Sequence, residues 1–247
     1  MKLAVLVPGF GDPHWDHKVQ ILRNNIRTVG SFHWDVTWYV CQYNLDSTLP
    51  DDITSMPNIK VIKDKGILGQ NIHKHMSPEQ IGEYDYVLIM LDDVELVQPV
   101  NWQYVLQIKE KTTMDIVSPC LTDKAMSVWN FMIHDKAHPH IHLKCMTRCE
   151  LFCYLMDGPS YKKYYQHVDP ENPWMWGMDF ILKSHMGLNV GIMNHVQMKH
   201  HYWRTKDTHD PKHDPRTDSD KYLAKYGTQW AELYRLPSEL HHVFTST

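Results

Sequence analysis

Tyr84–Asp85–Tyr86–Val87–Leu88–Ile89–Met90–Leu91–Asp92–Asp93–Val94–Glu95–Leu96 is the stretch on which the reading of this chain turns. Its apolar run is rich in strand formers and too short to span a membrane. It stops abruptly at Asp92–Asp93, and Glu95 follows two residues on. A buried strand that delivers carboxylates at its C-terminal end is a recurring way to place a metal or a reacting group at the mouth of an α/β sheet. Three acids this close repel one another, and they stay ionised together when a cation sits among them or when water solvates them fully. Side chains alternate along a strand, so if the strand persists, Asp93 and Glu95 face one site and Asp92 points the other way. A solvated turn is the plainer use of the same residues.

Working back from this stretch, Lys2–Val7 reads as a buried strand broken by Pro8–Gly9–Phe10–Gly11–Asp12–Pro13. Val19–Val29 carries apolar residues at helical spacing. Trp34–Cys41 and Ile59–Ile62 read as strands around a polar loop at Pro50–Pro57, and Gly66–Met76 as a helix entered through glycine. The β-α-β-β-α-β order predicts an α/β fold with a mostly parallel sheet flanked by helices. Working forward, Trp102–Lys111 reads as a helix, and Asp115–Pro119, Met126–Ile133 and Arg148–Leu155 as strands, the last two separated by a His- and Pro-bearing loop at His134–His142. Tyr161–His167 and Phe180–Met186 read as helices, and Asn189–Met193 with Val196–Lys199 as a bent strand or strand pair. A mobile polar loop over Thr205–Asp220 and a closing helix at Ser219–Leu236 complete the chain.

With 247 residues, 43% of them hydrophobic, and a formal net charge of −4, the chain suits one soluble domain, with no basic field for nucleic acid. No stretch has the length of a membrane helix or of a signal-peptide core, so a cytoplasmic location is expected. Cys145, Cys149 and Cys153 recur every four residues, which is not a zinc-ribbon spacing; small buried apolar residues, on one face if the segment is a helix, account for them. There are 18 histidines, far more than one metal site uses.

Pro8–Gly9–Phe10–Gly11–Asp12 lacks the Gly-x-Gly-x-x-Gly spacing of a dinucleotide loop. It admits either a nucleotide close to the backbone or a plain turn. Trp174–Met175–Trp176–Gly177–Met178–Asp179 sets two tryptophans before an aspartate at a helix start. Tryptophan faces stack on sugar rings, and such an aspartate can accept a hydroxyl proton; core packing and helix capping are the alternatives. A strand ending at His200–His201 can bring an imidazole to a metal, with Arg204 and Lys206 following to neutralise phosphate oxygens.

Taken together, these features resemble the GT-A fold of nucleotide-sugar-dependent glycosyltransferases, over the span from Leu3 to about Arg204. Leu91–Asp92–Asp93–Val94–Glu95–Leu96 resembles that family's Asp-x-Asp motif, which holds the metal on the donor diphosphate. Lys65–Gly66–Ile67–Leu68–Gly69–Gln70–Asn71 is similar to the segment that contacts donor nucleoside and phosphate, and Trp176–Gly177–Met178–Asp179 to the loop carrying the catalytic base of inverting members. The layout is also similar to that of soluble glycosyltransferases of large algal viruses. The resemblance implies a metal-dependent hexosyl- or pentosyltransferase. It would move a sugar from a nucleoside-diphosphate sugar, expected to be a UDP-sugar, to a hydroxyl of a glycan or glycoprotein acceptor with inversion.

The implied roles follow residue by residue. Mn²⁺ or Mg²⁺ sits on Asp93, with Asp92 or Glu95 competing for second place, and on His200. Asp179 is the base. Pro8, Gly9, Phe10, Gly11, Asp12, Lys65, Gly69, Gln70, Asn71, Arg204 and Lys206 hold the donor. Trp174, Trp176 and Gly177 shape the acceptor site. The implied organisation is a single domain over 1–247, with a nucleotide-sugar-binding half at 1–97, an acceptor and catalytic half at 98–204, and a loop with a C-terminal helix at 205–247. Two other readings use the same residues: a metal-dependent phosphohydrolase or nuclease, and a non-catalytic nucleotide-sugar-binding protein.

Overall fold

In the computed structural model, which describes residues 1–30, 34–122, 129–201, 214–235 and 239–245, the apolar runs become the middle of one mixed sheet. In chain order the elements are β1 (Lys2–Phe10), α1 (Trp15–Gly30), β2 (Asp35–Gln42), α2 (Asp51–Thr54), β3 (Ile59–Lys63), α3 (Leu68–His75), α4 (Pro78–Ile81), β4 (Tyr86–Met90), β5 (Val94–Leu96), α5 (Trp102–Thr112) and β6 (Ile116–Leu121). After a 3₁₀ turn at Asn130–Met132 come β7 (Ile141–Met146), β8 (Cys153–Asp157), α6 (Gly158–Tyr165), α7 (Met178–Ile181), β9 (Val190–His200), α8 (Pro215–Ala224), α9 (Trp230–Arg235) and β10 (Glu239–Thr245).

The strand order is β10-β7-β9-β6-β8-β4-β1-β2-β3, and β5 pairs with β9 off this path. The first-half strands pair in parallel, as the β-α-β order predicts. The second half adds antiparallel pairs around β8 and β7, with β6 and β9 parallel. Helices cover the sheet, and the core is continuous from Leu3 through Leu88 to Ile192. Among the described residues no helix is long and apolar enough to cross a membrane.

Several elements differ from the sequence reading, each for a physical reason. β1 does not break at Pro8 but runs to Phe10; its pairing with β2 jumps from Val7↔Val40 to Phe10↔Gln42, so the irregularity absorbs a proline that cannot donate to the ladder. The polar loop at 50–57 contains the short helix α2. The strand expected at Arg148–Leu155 begins only at Cys153, because Arg148 and Glu150 are buried and take an irregular path. A strand instead fills Ile141–Met146, partly within the expected loop; there the less buried His142 and Lys144 alternate with the buried Leu143 and Cys145.

The described end of the expected strand at 126–133 is the 3₁₀ turn, and residues 126–128 lie outside the described residues. The helix expected from Phe180 starts earlier and is a single turn. The bent pair at 189–199 is one strand with a register shift opposite Pro119 and Cys120. The closing helix is two helices, α8 and α9. Most of the polar stretch at 205–220, through residue 213, lies outside the described residues. Cys145, Cys149 and Cys153 are free and buried, spread over β7, the link and β8 rather than along a helix.

The acidic stretch also departs from a continuous strand. β4 ends at Met90, Asp92 and Asp93 occupy a turn, and the chain resumes as β5, antiparallel to β9 with Val94 opposite His200. From α1, the buried Asn25 holds β5 by its backbone: its Nδ2 donates to the Val94 carbonyl at 2.6 Å, and its Oδ1 accepts from the Leu96 amide at 3.0 Å. Asn25→Leu keeps the side chain's heavy-atom count and branching but leaves both backbone groups without these partners. It is expected to lower unfolding stability by about 2 kcal/mol in denaturant titration.

Candidate active site

The C-terminal ends of β1, β2 and β4 converge on one rim, as expected of an α/β sheet with its site at the strand ends. At that rim Asp92, Asp93 and Glu95 take three different environments, so the parity of an extended strand does not apply to them. Asp92 turns toward the loop after β1. Its Oδ2 accepts from the Gly11 amide at 3.1 Å and pairs with Lys18 Nζ at 2.8 Å. Burial pushes its carboxyl up to about 6 and Asp93 adds to this, while Lys18 and the Gly11 amide oppose it.

Glu95 turns the other way, to Asn24 Nδ2 and His201 Nε2, both at 2.8 Å. Burial raises its carboxyl, but these hydrogen bonds and the charges of His201 and Lys199 hold it below its ordinary value. Burial in turn lowers His201, with Lys199 and His17 acting in the same direction.

Asp93 meets His200. The β5–β9 ladder sets His200 opposite Val94, and the His201 amide donates to the Asp93 carbonyl at 2.8 Å. His200 Nε2 lies 3.3 Å from Asp93 Oδ2, and its ring stacks on Phe152 with centroids 4.1 Å apart. Asp93 Oδ1 is buried and has no hydrogen-bond partner among the described residues. Among the described residues no three His, Cys, Asp or Glu side chains gather as a metal centre. A carboxylate with one such oxygen, beside an imidazole, nevertheless suits Mn²⁺ or Mg²⁺, ions that fill much of their shell with water and substrate phosphate.

The expected donor segments come together beside this turn. Pro8, Gly9, Phe10 and Gly11 are buried, whereas Asp12 is exposed; its backbone carbonyl accepts from the Tyr43 hydroxyl and its carboxylate from Asn44. Asn71 Nδ2 donates to the carbonyls of Pro8 at 2.7 Å and Gly66 at 2.6 Å, locking the start of α3 onto the end of β1. Gln70 Oε1 accepts from the Ile67 amide and caps α3, and Lys65 is exposed. Arg204 and Lys206 lie outside the described residues.

The Trp-Gly-Met-Asp loop rests on α3: the Gly69 amide donates to the Pro173 carbonyl at 2.9 Å. A Cβ on Gly69 would stand 2.8 Å from the Asn172 carbonyl oxygen, so only glycine permits this approach. Asn172 clamps the loop from within, bonding both the amide and the carbonyl of Trp176. Met175 and Gly177 are left-handed, at φ 60° and 82°, and a non-glycine residue held there marks a tightly determined loop. Trp174 and Trp176 are half-buried and stand outside the hydrophobic core cluster.

Asp179, in the first turn of α7, keeps part of its surface in solvent while dense protein surrounds its carboxyl. Burial, then the charge of Glu150, pushes it up to about 7 against Arg148 and the backbone amides of residues 179 and 180. It is not the helix cap, a place taken by Gly177.

Residues 148–152, together with Lys18 and Asn25, are what the sequence reading missed. The Arg148 guanidinium lies 4.4 Å from the Trp129 ring centre and 5.0 Å from that of Phe180, and it donates to the Leu233 carbonyl at 2.7 Å. Phe152 reaches both His200 and the Leu91 amide. One irregular link thus touches the surroundings of Asp179 and of Asp93. Its available signal was a charged pair, Arg148 and Glu150, inside an otherwise apolar run.

This is a GT-A-like fold, the single-domain α/β architecture of nucleotide-sugar transferases. The structure of GalNAc-T7 with UDP, GalNAc and Mn²⁺ is similar over 94% of this chain and 49% of that one, at 11% identity and a TM-score of 0.65. The structure of S. aureus TarS 1–349 in complex with UDP-GlcNAc is similar over 94% of this chain and 69% of that one, at 9% identity and a TM-score of 0.60. The chain therefore spans about half the length of the GalNAc-T7 chain. No family model and no curated protein matches the sequence.

Two outcomes follow from this geometry. Gly69→Ala is expected to destabilise the fold by about 1–3 kcal/mol in denaturant titration, because the added methyl meets backbone rather than a movable side chain. Asp179 is raised in the folded chain from an ordinary 3.8 to about 7, so between those values the unfolded chain holds fewer protons and stability falls as pH rises. Asp179→Asn removes that fall, so its stability relative to the parent should increase between pH 5 and 7.5; identical slopes would show that the carboxyl is not raised.

Proposed function

We propose that this protein is a metal-dependent glycosyltransferase that takes its sugar from a nucleoside-diphosphate sugar, a UDP-sugar, and inverts the anomeric centre. The observation that carries the reading is the meeting of Asp93, from the turn after β4, with His200, at the end of β9. It lies on a scaffold similar to structures solved with UDP and Mn²⁺ or with UDP-GlcNAc. A divalent cation held by Asp93 and His200 would supply neutralising charge for the departing diphosphate. Under this reading neither candidate for second place beside Asp93 joins it: Asp92 serves the β1 loop and Glu95 serves His201.

The chain's own groups do the remaining work. Residues 8–12 and the start of α3, joined by Asn71, form the donor wall. Trp174 and Trp176, presented by the clamped loop, offer ring surface to an acceptor sugar. Asp179 takes the proton of the acceptor hydroxyl. The freed oxygen forms the new bond to the anomeric carbon on the face opposite the nucleotide, and the bond from that carbon to the diphosphate oxygen breaks, releasing the nucleoside diphosphate. A carboxyl raised to about 7 suits this task, because it is basic enough to accept the proton and still ionises near neutral pH. Residues 1–97 then form the donor half, and residues 98–204 supply Asp179 and His200.

A thermal-shift panel of nucleotide sugars with and without Mn²⁺ tests the donor reading: one nucleotide should raise the melting temperature in a Mn²⁺-dependent way. Asp93→Ala should abolish that dependence and the metal-stimulated transfer while the fold persists. Asp179→Asn should retain donor binding and lose about 10²–10⁴-fold in turnover. Parental kcat/KM should rise with pH along a limb near 7. Phosphoester cleavage without a sugar acceptor, or donor binding with no turnover or hydrolysis, would replace the transferase reading.

A further inference from the structure

The adjacent pair Asp92–Asp93 is divided by a residue that no motif marks. Lys18, on the first turns of α1, places its ammonium 2.8 Å from both Asp92 Oδ2 and the Gly11 carbonyl oxygen. The Gly11 amide completes the set by donating to the same Asp92 oxygen at 3.1 Å. Both backbone polar groups of Gly11 are therefore held by one ion pair. The lysine and aspartate side chains are only 8% and 11% exposed. Charges this enclosed persist only when paired and hydrogen-bonded, and removing one partner strands the other.

We propose that Lys18 is a positioning residue that fixes the loop after β1 against the acidic turn and reserves Asp92 for that task. Asp93 is then the one member of the adjacent pair left for a cation and the donor diphosphate. The functional part of this proposal rests on the donor-site reading above; the clasp itself rests only on the three contacts. A lysine at this point also offsets one of the turn's negative charges within the chain, so two adjacent carboxylates are tolerated before any ligand arrives. Pro8, near the end of β1, accepts from Asn71 at its carbonyl, so the start of α3 holds the last residues of β1 while the clasp holds Gly11 just beyond them.

The test uses Lys18→Met, Asp92→Asn, the double variant and Asp93→Asn. It measures exchange of the Gly11 amide without ligand, binding of Mn²⁺ alone and of UDP with Mn²⁺ by calorimetry, and steady-state kinetics. Lys18→Met is expected to speed Gly11 exchange and to weaken UDP binding by about tenfold, as donor KM with kcat changed less than about threefold. The double variant, with neither charge stranded, is expected to recover part of the lost UDP affinity. Mn²⁺ binding should survive in Asp92→Asn and be lost in Asp93→Asn.

Unchanged Gly11 exchange and UDP affinity in Lys18→Met would overturn the proposal, as would loss of Mn²⁺ binding in Asp92→Asn as complete as in Asp93→Asn. If Lys18→Met does not fold, the double variant carries the same exchange measurement, and slow Gly11 exchange there would overturn the clasp. If the parent binds no UDP, the donor reading fails, and Gly11 exchange still decides the clasp.

Discussion

The short antiparallel pairing of β5 with β9 is the constraint on which the site depends. It sets Val94 opposite His200 and Leu96 opposite Met198, so the end of a late strand is delivered to the acidic turn. β9 is itself fixed on both sides, parallel to β6 and antiparallel to β7, and β5 is held from behind by Asn25. A turn seated between a buried strand and such a ladder has little freedom. That restraint is what a ligand-holding carboxylate needs if binding is not to spend its free energy on ordering the turn.

Electrostatics explains how three acids share this turn without driving it apart. Each has its own partner: Lys18 for Asp92, His200 for Asp93 and His201 for Glu95. Lys18 supplies a full positive charge, whereas the two histidines hold their carboxylates through ring nitrogens, and because the partners come from α1 and from the end of β9 or just beyond it, these contacts also tie those elements together. The enclosed Asp92 pairing and the half-buried Glu95 pairing leave Asp93 with a carboxylate oxygen that has no protein donor among the described residues. Asp179 follows a different logic: burial and Glu150 outweigh Arg148, which raises its proton affinity toward neutrality.

Much of the scaffold was legible because apolar periodicity is local. The strands at 2–7, 35–41, 59–62 and 86–90 and the helices at 19–29, 68–75 and 102–111 lie where their patterns put them. The failures fall where tertiary contacts override pattern. Arg148 and Glu150 sit in an apolar run that looks like a strand, but buried charges need side-chain and carbonyl partners, and the segment leaves the sheet to reach them. β7 was obscured because His142 and Lys144, its less buried face, read as part of a loop. Pro8 looked like a terminator, and the sheet absorbed it at an irregularity.

The sequence by itself determined that a buried strand ends in acids, that a loop bearing Trp174 and Trp176 leads to Asp179 at a helix start, and that histidines close a late strand. These are properties of neighbours along the chain, written in composition and spacing. Only the tertiary structure decided which acid meets which partner. The deciding contacts join residues far apart in sequence: Gly11 with Asp92 across 81 positions, Asn24 with Glu95 across 71, and Glu95 with His201 across 106. Strand alternation orders side chains within one element. Once the chain turns at Asp92–Asp93, their directions are set instead by the packing of α1 and β9, which no local period encodes.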